Sequence, residues 1–198
     1  MKTILLDIKK NQKISVAEDT QFVLADSRGF EEEFTLNLVF QKPGVASEVL
    51  GIFNLPAAET IHLTTSSNHL VPGTSCHTYI KAVLKEKSDF DYRGEIFIGK
   101  KARQTTAYLH DHVLVAGDNI KRNSQPILQI ETNDVQASHG STTGRIDRNE
   151  LYYLESRGLE KNKAEEIIIQ GFLIDLIKKI KDENVKRSVL DKLGLKNE

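Results

Sequence analysis

The side chains able to do metal or thiol chemistry in this chain are few and scattered. One cysteine, Cys76, lies in SCHTYIK beside His77. Alone it makes neither an internal disulfide nor a CxxC knuckle. Neighbours on an extended strand point to opposite faces, so Cys76 and His77 are poorly placed to chelate one ion. The expectation for Cys76 is a buried thiol packing as a small hydrophobe. His110 and His112 are two residues apart, which puts both imidazoles on one face of a strand, but two ligands fall short of a metal site. Iron or a cluster must therefore draw its ligands from histidine or carboxylate, or from the thiolates of another chain. There is no GxxxxGK(S/T) phosphate loop, no GxGxxG turn after a strand and no GxSxG elbow, and the carboxylates lack the paired spacing of a glycosidase. Residue chemistry thus points away from an enzyme.

Bulk properties narrow the classes further. A chain of 198 residues with 39% hydrophobic and 28% charged content is ordinary for a soluble globular protein. Its formal net charge of -1 provides no broad positive field for nucleic acid or an anionic membrane. The amino-terminal MKTILLDIKKNQ is interrupted by Asp7 and is too short in apolar residues for a signal peptide, and no run approaches a membrane span of about 18 apolar residues. The expected location is the cytoplasm.

The elements that must position these residues change character along the chain. Short runs rich in β-branched residues recur at Thr3–Ile8, Gln21–Leu24, Phe34–Phe40, Glu48–Phe53, Thr60–Thr64, His77–Leu84, Gly94–Ile98, Tyr108–Val115 and Ile127–Ile130. They are separated by Gly, Asn, Asp and Ser, without an intervening helical period. Such a pattern suits a sandwich, a jelly roll or a β-solenoid of irregular coils, since no strict short repeat is present. After His139 the composition shifts. Asp147 with Glu150 starts a helix running to about Arg157 and closed by Gly158, and Glu160 to Lys181 carries an apolar stripe at spacings of three and four. A third helix runs from about Asp182 to Leu193 and stops at Gly194. The apolar faces of the second and third helices either pack on each other and the β body or dock a partner.

The segment PILQIETNDVQASHGSTTGRIDRNELYYLESRGLEKNKAEEIIIQGF, Pro126 to Phe172, resembles the signature of the SufB/SufD family. Its SufD members show a pattern like PxLEIxxDDVxCSHGATxGxID followed by LFYLxSRGI. Upstream, His69, Pro72, Thr74, Lys81, Val83 and Leu84 resemble HxxPxTxSxxxxKGVL, and Ala102, Thr105, Ala107 and Tyr108 fit AQxTxAYQxN. The likeness covers about residues 60 to 180 and leaves the first sixty unaligned. It implies a mainly β fold with an α tail: a right-handed parallel β-helix over residues 1–145, then a small helical domain over 146–198. Relatives of full length carry an amino-terminal helical domain, which this shorter chain is expected to lack.

The function implied is that of a non-catalytic scaffold subunit for iron–sulfur cluster assembly, SufD-like, working with a SufC-type ABC ATPase and a SufB-like chain or a copy of itself. The resemblance singles out His139, matching the histidine of the CSHG motif, as an interfacial ligand to a transient iron–sulfur cluster. Without it, His139 reads as a histidine hydrogen-bonding at the β-to-α junction. Tyr152, Arg157 and Phe172 fall in the helical module that docks the ATPase in the family. Five departures bear on this reading. Ala137 stands where many SufD relatives have cysteine. Ile130 stands where SufB members carry a cysteine. Leu109 and Asp111 replace Gln and Asn, and Ala82 replaces Gly, so an internal polar path for sulfur transfer is altered. The second reading is an adaptor that keeps the docking helices and has lost cluster ligation.

Overall fold

The computed structural model describes residues 1–195, the side chains of residues 31 and 32 excepted. Eleven strands precede three helices: β1 (Lys2–Leu5), β2 (Gln12–Val16), β3 (Thr20–Asp26), β4 (Phe30–Phe40), β5 (Ala46–Leu55), β6 (Thr60–His69), β7 (Ser75–Leu84), β8 (Asp89–Ile98), β9 (Thr105–Val115), β10 (Lys121–Ile130) and β11 (Val135–Arg145), then α1 (Arg148–Ser156), α2 (Lys161–Ile177) and α3 (Glu183–Leu193). Odd strands form one sheet in the order β1-β3-β5-β7-β9-β11, and even strands form a second in the order β10-β8-β6-β4-β2. Each strand pairs in parallel with the one two places away in sequence. The chain therefore winds as a parallel β-helix, each coil giving one strand to each sheet. β5, β7, β9 and β11 begin at residues 46, 75, 105 and 135, so a coil takes about 30 residues. With coils that long and no residue type fixed within them, the repeat is carried by parity alone and is hard to see as sequence similarity.

Parity explains the core. Along β7, Cys76, Thr78, Ile80, Ala82 and Leu84 are buried while the alternating residues up to Lys81 are half-exposed. Stacking these inner faces makes one continuous core that includes Phe22, Phe34, Phe53, Phe90 and Tyr92. Close approach inside it requires Gly94, where a Cβ would stand 2.4 Å from Leu109 Cδ1 and 2.9 Å from the Tyr92 hydroxyl.

Nine of the eleven strands coincide with apolar runs in the sequence. The other two are β2, whose QKISV has only two large apolar residues, and β11, whose VQASHGSTTGR is polar and mostly exposed. His139 accordingly lies in the middle of β11, not at a junction between strand and helix.

The helices fold back over the outer face of the odd sheet. Ile169, Leu173, Leu176 and Ile177 of α2, with Val189, Leu190 and Leu193 of α3, form a second core with Val23, Ala25, Leu50, Ile52, Val83 and Leu114. Asp147 caps α1 by accepting from Asn149 N, and Asp182 caps α3 by accepting from Asn184 N and Val185 N. Gly194 closes α3 at φ 66°. α2 stops at Ile177, short of the Lys181 expected from its periodicity, because buried Gln21 takes over the backbone there. Its amide donates to Lys179 O at 2.9 Å and its carbonyl accepts from Lys181 N at 3.0 Å. The expected tail reached residue 198, of which residues 196–198 lie outside the described residues.

Candidate functional site

β11 and β10 are the last strands of their sheets, so one end of the β-helix is an open coil. On β11, His139 has the parity of Val135 and Ala137, which pack against the core. In register it continues the column Phe22, Val49, Thr78, Leu109, all buried. His139 is thus the end rung of an interior column, exposed because no further coil covers it. From β10, Arg122, Ser124 and Leu128 face the same opening.

Beneath the opening lies Asp111, which is fully buried. Its Oδ2 accepts from Arg122 Nη2 at 2.7 Å and from Ser141 Oγ at 3.0 Å, and its Oδ1 accepts from Ser124 Oγ at 3.0 Å. Arg122 Nη2 also donates to Ser141 Oγ, while its Nε is buried without a partner. These contacts tie β9, β10 and β11 together directly beside His139, which is two residues from Ser141 on the same face. A buried carboxylate is tolerated because it is paired and hydrogen-bonded on both oxygens.

Cys76 is 1% exposed, and burial pushes its thiol up, so it stays protonated near neutrality. It accepts from Ser47 Oγ at 3.4 Å. Register places Cys76 below Ala107 and Ala137, two strand spacings or about 10 Å under the mouth. Among the described residues no group of three His, Cys, Asp or Glu side chains is placed to hold a metal. The mouth offers an imidazole, hydroxyls and a guanidinium; it offers no thiolate.

A family model described as SUF system FeS cluster assembly, SufBD core domain, matches residues 10–172. The chain belongs to the SufBD core family. The match reaches fifty residues further toward the amino terminus than the motifs above, taking in β2 to β5. Among similar proteins are the iron–sulfur cluster assembly protein SufD of Escherichia coli, 32% identical over 114 residues (58% of this chain and 27% of that protein), and SufD of Bacillus subtilis, 30% identical over 132 residues (67% and 30%). An iron–sulfur cluster assembly SufBD family protein of Mycobacterium leprae is 27% identical over 162 residues (78% and 41%). The chain spans less than half the length of these relatives.

Within this SufBD core the other sequence-derived candidates lie apart from the mouth. Tyr152 on α1 is 72% exposed, and the Arg157 guanidinium sits 5.3 Å from the Tyr153 ring. Phe172 is half-buried, packed against the second core, with Lys81 Nζ 4.7 Å from its ring centroid. Ile130 ends β10 at 39% exposure. His110 and His112 share the outer face of β9, turned away from His139, and His77 lies on the neighbouring strand edge-on to Tyr108. Arg122, Ser124 and Ser141 were not singled out from sequence, and Asp111 stood out only as a departure from the family pattern. The available signal was parity: Asp111 falls on the same face as Leu109 and Val113, where a charge has no place without a partner. Among the described residues no helix is long and apolar enough to cross a membrane.

Proposed function

We propose that this chain is a non-catalytic, SufD-like scaffold subunit for iron–sulfur cluster assembly, acting in the cytoplasm. Its body (residues 1–145) presents the open coil to a second SufB/SufD-type chain, SufB-like or a copy of itself. Its helical tail (146–198), through Tyr152, Arg157 and Phe172, docks a SufC-type ABC ATPase. The nascent cluster is the cargo: His139 supplies one imidazole ligand, and the partner chain supplies the thiolates that the mouth lacks. The observation that carries this reading is the position of His139, the end rung of a buried column on a strand whose outer edge is unpaired, where a docked coil would enclose it and expel water. The half-covered Leu128, Val135 and Ala137 around it provide apolar surface for that docking.

The adaptor reading is favoured by a different observation, the absence of any sulfur near His139, with Ala137 at the mouth and Cys76 sealed below. Anaerobic co-purification with the ATPase and a SufB-like chain, followed by iron, sulfide and visible absorbance measurement, separates the two. Because His139 is exposed, His139→Ala leaves the fold intact, and the scaffold reading expects the complex to form but lose most of its iron and sulfide. A complex that keeps its full complement in His139→Ala removes the ligand role, and one that is colourless in the unmodified chain supports the adaptor.

A further inference from the structure

His110 and His112, left unused by the cluster site, border a cavity of about 300 Å³ on the opposite face of β9, at the lower end of the ligand-cavity range. Tyr79, Lys81, His110 and His112 of the odd sheet form its floor, and Asp175 and Leu176 of α2, with Lys179 just past its end, form its wall. The Tyr79 and His110 rings are stacked, 15° apart with centroids at 5.9 Å, and give the cavity an aromatic side. His110 is left room because its register partner on β11 is Gly140, where a Cβ would stand 3.2 Å from His110 Nδ1.

The polar lining is dominated by donors. Lys81, whose side chain is 14% exposed, gives one N–H to Phe172 O at 2.9 Å and one to Asp175 Oδ2 at 2.8 Å. An ammonium has three; the third is in no hydrogen bond among the described residues, and Nζ lies 4.7 Å from the Phe172 ring centroid at the cavity's edge. Lys179 Nζ sits 5.0 Å from the Tyr79 centroid, and among the described residues no carboxylate lies within ion-pair distance of it. His112 adds a further ring N–H. Against two fixed cations the lining holds one carboxylate, Asp175, which is 70% exposed and already engaged.

We infer that this cavity binds a small organic phosphate monoester, its flat ring against Tyr79 and His110 and its phosphate oxygens at Lys179, Lys81 and His112. Donors converge from β7, β9 and the segment just past α2, and an oxyanion with three terminal oxygens meets more of them than a carboxylate does. The ring supplies the apolar contact that a bare inorganic ion leaves unused.

The test uses the full chain with labelled histidines and follows the six imidazoles by NMR during titration with phenyl phosphate. Saturable shifts confined to His110 and His112, at about millimolar ligand, are expected. Lys179 is exposed and its tie to Gln21 runs through the backbone carbonyl, which Lys179→Gln retains, so the variant keeps the backbone spectrum and weakens binding about tenfold, the loss of one charge-assisted contact. Inorganic phosphate binds more weakly. Shifts that do not saturate, that spread over all six histidines or that persist unchanged in Lys179→Gln overturn the site. Benzoate binding as tightly as phenyl phosphate overturns its assignment to phosphate.

Discussion

At the residue scale, His69 shows what enclosure does to a titratable group. It is fully buried, its ring stacks on Phe40 with centroids 4.4 Å apart, and Nδ1 is hydrogen-bonded to Thr74 Oγ1 at 2.7 Å, while Nε2 has no partner. Burial lowers its pKa from 6.5 to about 4. Below pH 6.5 the unfolded chain takes up a proton that the folded chain refuses, so stability is lost as pH falls from 6.5 toward 4 and levels off beneath. The loss from this one group is about 3 kcal/mol. Urea midpoints across that window, compared with those of His69→Gln, check it: the slope flattens in the variant if His69 is its source, and an unchanged slope excludes it. Asp111→Ala is expected to cost about 3 kcal/mol, because Arg122 is left without its buried counter-charge, and a loss under about 0.5 kcal/mol, the usual range of an uncoupled surface change, would show that Asp111 does not hold β9, β10 and β11 together. His139 and His69 were legible as motif positions. Their environments were not, because a single strand's parity does not reveal which coil lies above it.

At the scale of elements, Lys81 is the polar link from the odd sheet to the middle of α2, among apolar contacts. Lys81 reaches out of β7 to the Phe172 carbonyl, to Asp175 and to the face of the Phe172 ring. Lys81→Met keeps the stem and removes the charge. With Asp175 largely in solvent, about 1 kcal/mol is expected to go, and hydrogen exchange should rise along α2 while β5 to β8 stay protected. Equal acceleration everywhere would mean that Lys81 does not act locally. Phe172→Asp sets a carboxylate into the same seam, and the expected result is a helical tail that melts early; a fully helical chain that only fails to bind the ATPase would assign Phe172 to docking alone. The three helices were readable from Asp147, Asp182, Gly158 and Gly194 and from the stripe of α2. Its early end at Ile177 was not, because the residue responsible, Gln21, is 158 positions away from the carbonyl it satisfies.

For the whole molecule, the parallel β-helix was foreshadowed by the family motifs and by the run of strand-like segments; the apolar pattern alone left a sandwich and a jelly roll open. Hydrogen exchange should be slowest in β5 to β8, which have a coil on both sides, and fastest in β10 and β11, then slow in those two strands when the partner chain binds. Unchanged exchange in a stable complex would place the partner elsewhere. The tail does more than cover a face. A stack whose coils touch only their neighbours comes apart one coil at a time, but here α2 and α3 run back along it. Ser27 bonds to Lys192 O, Asn54 to Leu193 O, and Gln21 to the end of α2. Tension applied between the first coil and the last helix is therefore borne in shear by the second core, and the spring cannot unwind until that seam has slipped.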